Sequence, residues 1–599
     1  MVKLSSDNEV LKTLRTELMP YPGRLAGSAR DMLALILAIV LAETLRVPSI
    51  SLSAALLLLI QRERPGLMLK AGIQVLLGCA LASAASLTWV QATDGTAAAR
   101  FLGVLLGIFI AAFCMAGTTL PLFWTIFGFY GFVDLAFWDG HHSDDAGVRY
   151  CLYNIVSFAL VLACGAAVEY IFGTRHPGVE LQTEMKRRIS ALEEFYSAAA
   201  TQDLKTHPQR LRLAQQKLLT LVHAGDFRLN ELHDQLRDTS ADRTSVPVGL
   251  QYRIGILSRV LQKSVAFGFA PPSDEERQIF QAIAEQCREM DVPRQEYPAP
   301  PVEIKRPALR EVFFDLQQYA SVSRTAEATQ EQLKKPSSGP AHFQFFVPGV
   351  FETPDTVLYA LKLTLSAITC YTLYNAFAWP GILTCVVTVL FTGLNTTGAM
   401  KQKQLYRFSG AFIGGTIGIF TVSVFFPNMD SITSFVVLLA PVMFLAGWVM
   451  RSPRIGYVGV QIAFAFSLTT LPGFGPSTEI SPARDRLFGI SLGIAVLWLI
   501  FDQLWPRRAS DVLQKALIQI EKATQQLGRT SSGRTAEVDY LRALVSQELA
   551  NVQQLESASL FDIGRHRKRE MTRTRHIARQ IEAAAADFYQ TLELKLGSA

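Results

Sequence analysis

Residues 357–506 hold six apolar runs, at 357–377, 382–394, 405–426, 432–450, 457–472 and 487–505. Most of them approach the roughly 20 residues that a helix needs to cross ~30 Å of hydrocarbon. Lipid offers a backbone no water, so a spanning run must close its own hydrogen bonds, which a helix does. The second run is short, and lengthens only with Trp379, Pro380 and Gly381 as a first turn, where proline is tolerated. A second set of six runs lies upstream, at 31–47, 48–60, 67–90, 101–117, 120–138 and 150–173. The pattern predicts an all-α membrane protein with twelve transmembrane helices. Composition agrees, because 50% of the 599 residues are hydrophobic and only 18% charged, few for a soluble chain. The formal net charge of +6 is small for this length and needs no nucleic-acid partner, since cytoplasmic loops already collect Lys and Arg.

Loop charges set the expected orientation. Arg62, Arg64 and Lys70 lie between the second and third runs, whereas the next loop carries Asp94, and Asp139, Asp144 and Asp145 precede the sixth run. In the second set Lys401, Lys403 and Arg407 follow the second run, Arg451 and Arg454 the fourth, and Arg507 and Arg508 the sixth. Both sets thus start and finish inside, which predicts two parallel six-helix repeats about an axis along the membrane normal. Each sixth run also ends in an acid followed by basic residues, Glu169 before Arg175 and Asp502 before Arg507, and starts near an arginine, Arg149 or Arg486. The expected domains are an interfacial segment at 1–28, a transmembrane block at 29–173 and a cytoplasmic helical domain at 174–348. A second transmembrane block at 349–506 and a C-terminal cytoplasmic helical domain at 507–599 complete them. Leu11, Leu14 and Leu18 give the first segment one apolar face before Pro20 and Pro22. Stripes at Leu181, Met185, Ile189 and Leu192, at Leu211, Leu218, Leu221 and Val222, and at Leu541, Leu544, Val545 and Leu549 mark the polar segments as helical and predict that they pack together.

Several chemistries lack their motifs. No P-loop, zinc spacing or nucleophile elbow occurs in the polar segments, so the chain reads as a non-enzyme without cofactor. The seven cysteines include no CxxC and read as small buried hydrophobes. His141, His142, Asp144 and Asp145 could suggest a metal, but read better as a solvated loop. Gly410, Gly414 and Gly418, Gly103 and Gly107, and Gly489 and Gly493 recur every four residues and predict close helix approach, while Pro441 predicts a kink.

Ionisable groups inside spans are costly and point to function or to a partner. Glu43 and Arg46 lie three apart and can pair, either as a structural pair or lining the exit of an anion path. Asp134 follows the aromatic stretch containing Trp124, Phe127 and Tyr130. It is either hydrated at the outer interface or desolvated among rings, which favours the protonated carboxyl and suits a proton carrier. Glu43, Glu169 and Asp502 are further proton-coupling candidates, the last two being otherwise partners of the arginines that follow them. Lys362 either snorkels to the inner interface or, with Arg46, Trp124, Phe127 and Tyr130, lines the substrate path.

The runs Tyr359-Ala360-Leu361-Lys362, Cys370-Tyr371-Thr372-Leu373-Tyr374 and Arg407-Phe408-Ser409-Gly410-Ala411-Phe412 carry a resemblance, with Leu439-Ala440-Pro441 and Arg484-Asp485-Arg486-Leu487-Phe488-Gly489-Ile490. The chain resembles the fusaric-acid-resistance (FUSC) family, which includes aromatic acid exporters, and within it the MdtO-type multidrug-resistance membrane subunits. The resemblance is good over the second block, weaker over the first, and architectural in the polar segments. It implies a proton-driven inner-membrane exporter of aromatic carboxylates or related drugs, working with a periplasmic adaptor and an outer-membrane channel. The chain also resembles plant aluminium-activated malate channels, whose six-helix subunits pair around an anion pore, so a passive organic-anion channel is the alternative. A homo-oligomer is compatible with either reading.

Overall fold

The computed structural model describes residues 17–20, 24–48, 50–60, 65–93, 96–138, 143–173, 177–201, 208–223, 250–266, 273–289, 299–321, 345–347, 350–351, 354–394, 397–429, 431–452, 455–471, 479–506, 508–529 and 567–597. It also describes residues 229, 232, 233, 236, 541, 544, 545, 548, 549, 552 and 555. Among them all regular structure is helical, apart from one isolated bridge between Thr118 and Phe346. Contacts divide the chain into two compact units, residues 1–174 with 343–507 and residues 175–342 with 508–599.

Among its described residues the first unit holds twelve apolar helices. In its first set these are α1 (Arg24–Leu45), α2 (Ile50–Ile60), α3 (Pro65–Thr93), α4 (Ala97–Gly117), α5 (Pro121–Phe137) and α6 (Asp144–Phe172). Numbers α7 to α11 fall in the second unit. The second set follows them with α12 (Asp355–Ala376), α13 (Thr384–Thr392, after the 3-10 turn Pro380–Leu383) and α14 (Thr397–Phe420). It ends with α15 (Ile432–Met450), α16 (Gly456–Thr470) and α17 (Ser481–Leu497). Among the described residues eight helices are long and apolar enough to cross a membrane, and the four shorter ones, α2, α5, α13 and α16, stand second and fifth in each set. Exposed apolar side chains line the outer faces. Ile73, Leu77 and Leu81 on α3, and Leu358, Leu361 and Leu365 on α12, form stripes at helical spacing that water would not tolerate but lipid would.

Packing repeats place by place. In the first set α3 packs on α5 and α6, α4 on α5, and α6 on α1 and α2. In the second set α14 packs on α16 and α17, α15 on α16, and α17 on α12 and α13. Contacts between sets come in exchanged pairs: α1 lies on α15 as α12 lies on α4, and α2 on α16 as α13 on α5.

Helix ends depart from the apolar runs where a charged residue has found a partner. α1 starts at Arg24, not near residue 29, because Arg24 is spent on the carbonyls of Trp448, Glu17 and Met19 and on Ser452 Oγ. Leu11 and Leu14 of the expected interfacial face lie outside the described residues. α14 and α17 each run on through a π-helical turn, Thr421–Phe425 and Trp498–Leu504, which the sequence did not foretell. α15 runs unbroken past Pro441.

The second unit is built from α7 (Pro177–Ala200), α8 (Pro208–His223), α9 (Leu250–Ala266), α10 (Asp274–Arg288), α11 (Pro307–Ser321), α18 (Ala509–Arg529) and α19 (Arg567–Gly597). The expected stripes are its core: Leu181, Met185, Leu192, Leu218, Leu221 and Val222 are buried together, as are Leu541, Val545 and Leu549 with Leu513 and Ile520. α19 packs on α9 and α11 as well as on α18, so the two polar segments close on each other.

Candidate functional site

The first set encloses a buried polar cluster. Asp134, on α5, is wholly buried. It accepts hydrogen bonds from Ser83 Oγ of α3 at 2.7 Å and Asn154 Nδ2 of α6 at 3.3 Å. Cys79, Tyr130 and Cys151 surround it, and a serine pair, Ser157 donating to Ser53 at 2.8 Å, lies in the same bundle. These neighbours of the carboxyl are all neutral groups. Desolvating a carboxylate without a cation is expensive, so the site suits a group that alternates between acid and anion. Of the aromatic candidates, Tyr130 is buried one turn below Asp134, while Trp124 and Phe127 are half-buried and meet edge to face at 5.4 Å.

The other acids have partners that sequence spacing could not name. Glu169 pairs with Arg30 of α1 at 3.1 Å, and Asp502 with Lys401 at 3.1 Å, where the sequence had suggested the arginines following each acid. Lys362 donates to the carbonyl of Trp505 at 2.9 Å, closing the end of the last helix. Arg46 stands beyond α1 in left-handed conformation (φ 52°), and its N–H bonds Glu43 O while Val47 N–H bonds Ala42 O. Those two bonds form a Schellman cap, so Glu43 and Arg46 do not share a helical face. His141 and His142 lie outside the described residues.

A second cluster, in the second set, was not foreseen. Arg407 of α14 is buried, and its Nε donates to Thr388 Oγ1 of α13 at 3.2 Å. Its Nη1 donates to Tyr457 Oη and Gln461 Oε1 of α16, at 3.4 and 3.3 Å. Arg486 of α17 is 3% exposed, with its guanidinium 4.0 Å above the ring of Phe464. Spacing alone hides this pair: Arg407 follows a loop and had been counted with it, and Arg486 sits in an Arg-Asp-Arg triplet at a helix start. Its supposed counterpart Arg149 is exposed and bridged to Asp145. Phe391 of α13 lies under Arg407 (5.8 Å) and against Phe129 of α5 (5.4 Å), so aromatic rings link the two clusters across the contact between sets.

No protein family profile matches the chain, and no solved structure matches it. Curated sequences do. The chain is similar to multidrug resistance proteins. It is 34% identical over 173 residues to "Multidrug resistance protein MdtO" of Shigella flexneri, which is 28% of this chain and 25% of that protein. The protein of the same name from Escherichia coli K12 is 34% identical over 169 residues, with the same coverage. The matched region thus spans about a quarter of the length of these relatives.

Proposed function

We propose that this chain is an inner-membrane efflux transporter that exports aromatic carboxylic acids or related amphipathic drugs in exchange for protons. Its twelve apolar helices form two parallel six-helix repeats, with the path between them and the termini and polar segments on the cytoplasmic side. The exchanged contacts between sets and the second-and-fifth position of the short helices support the repeat. The likeness to multidrug resistance proteins supports efflux. A periplasmic adaptor and an outer-membrane channel complete the proposed system.

The observation that carries the proton coupling is Asp134, a fully buried carboxyl on α5, one of the helices that reach the other set, held by neutral donors of α3 and α6. Ionised, it repels a carboxylate cargo; protonated, it can donate a hydrogen bond to one. The test is counterflow of a labelled aromatic acid in proteoliposomes, with and without an imposed pH gradient. Asp134→Asn should keep exchange and lose its pH dependence, and Glu43→Gln should do less. An unaltered pH profile in Asp134→Asn would reject the proton carrier and favour a passive anion channel.

A further inference from the structure

We infer that Arg486 and Arg407 form a binding site for the carboxylate of an organic anion, with Phe464 and Phe391 against its apolar body. Arg486 can donate five N–H bonds, and none of its three nitrogens has a partner among the described residues. Nη2 of Arg407 is in the same position, and its other nitrogens meet only neutral groups. Gln461, which accepts from Arg407, stands one turn from Phe464, over which Arg486 lies. Burying one charge unpaired is costly by itself, and burying two like charges together is more so.

A structural ion pair was within reach of the sequence and is not made. Asp485 is the next residue, but it is turned to Arg484, whose Nη2 and Nε reach the same carboxylate oxygen at 2.8 and 2.9 Å. Arg486 therefore points inward without it. The walls around the pair are close-packed: a Cβ on Gly410 would meet Gln461 at 2.6 Å, and one on Gly489 would meet Thr384 Oγ1 at 2.1 Å. Thr384 and Thr388, one turn apart on α13, reach the Arg486 carbonyl and the Arg407 guanidinium. The donors are thus held in place by rigid neighbours. A planar guanidinium fork matches a carboxylate two bonds at a time, and the phenyl rings favour a cargo with an aromatic or apolar body.

The site rests on the transport reading only in treating its occupant as cargo. Its test is therefore binding, in detergent, without transport. Benzoate, benzamide, chloride and inorganic phosphate are titrated by calorimetry and thermal shift against wild type, Arg486→Gln, Arg486→Lys, Arg407→Gln and Asp134→Asn. Benzoate should bind and stabilise wild type, benzamide should not, and each arginine variant should weaken benzoate by about tenfold or more. Without ligand, Arg486→Gln should melt no lower than wild type, because an unpaired charge has left the interior. Wild type indifferent to benzoate, or benzoate affinity unchanged in Arg486→Gln and Arg486→Lys, would overturn the site. So would phosphate stabilising as well as benzoate, which would point to a lipid headgroup or free phosphate. Failed counterflow with intact, arginine-dependent benzoate binding would reject the transport reading and leave this one standing.

Discussion

Asp31 and Arg451 stand 420 positions apart in sequence and meet as a buried ion pair between α1 and α15. Removing one partner strands the other charge, so Arg451→Met should cost about 3–5 kcal/mol, read as a lowered unfolding midpoint in detergent. Adding Asp31→Asn should recover most of that loss. An additive double variant would show that the pair is not the source. This pair and the Arg407–Arg486 cluster share a reason for being illegible in the sequence. A tally of loop charges assigns each Lys or Arg by its place along the chain, and counted Arg407 and Arg451 as solvated. Their surroundings come from helices far away in sequence. Asp134 was legible because its aromatic neighbours are on its own helix, whereas Ser83 and Asn154 are not.

Glycines behave differently from one helix to the next, although their spacing is the same. A Cβ on Gly414 would come within 2.3 Å of the backbone oxygen of Ile462, so Gly414→Ala must part α14 from α16, at about 1–3 kcal/mol. A Cβ on Gly107 would meet nothing within 4 Å, and Gly107→Ala should stabilise α4 by about 0.5–1 kcal/mol through backbone entropy alone. Thermal unfolding of the two variants checks both, and a shift of equal sign would contradict the packing. The four-residue repeat thus predicted close approach correctly on α14 and could not tell which faces had a neighbour. In the second unit, Cys287 on α10 is pushed up to about 12, first by burial and then by the Glu193 charge. The unfolded thiol ionises at its ordinary, lower pKa, so this residue's contribution to stability is present below that value and fades as pH rises through it. Maleimide labelling of Cys287 at pH 8 should accordingly be slow in the native protein and fast in denaturant.

The positions of the apolar helices among the described residues were largely legible, because such helices write themselves as long uninterrupted apolar runs. The pairing of those helices was not, since every lipid-compatible face looks alike in hydropathy. Under the proposed topology, single cysteines at Thr93, Ser143 and Asn428 of a cysteine-free variant should react with an impermeant maleimide from outside, and those at Gln402 and Gln503 should not. Reversal of either group would sink the arrangement. Deleting residues 508–599 removes α19 from α9 and α11 and should lower the melting of the remaining second unit, which proteolysis would report. The short helices have an electrical consequence. α2 and α16, described over 11 and 15 residues or ~16 to ~23 Å at 1.5 Å per residue, meet across the contact between sets, as do α5 and α13. Under the proposed topology, hydrocarbon thinned to match these helices would carry the membrane voltage over roughly two thirds of the ordinary thickness. The field would then be steepest along these helices, which carry Asp134 and Thr388, and a charge crossing there would gain about 2.3 kcal/mol per 100 mV. Export along that line should therefore answer to membrane voltage as directly as to pH.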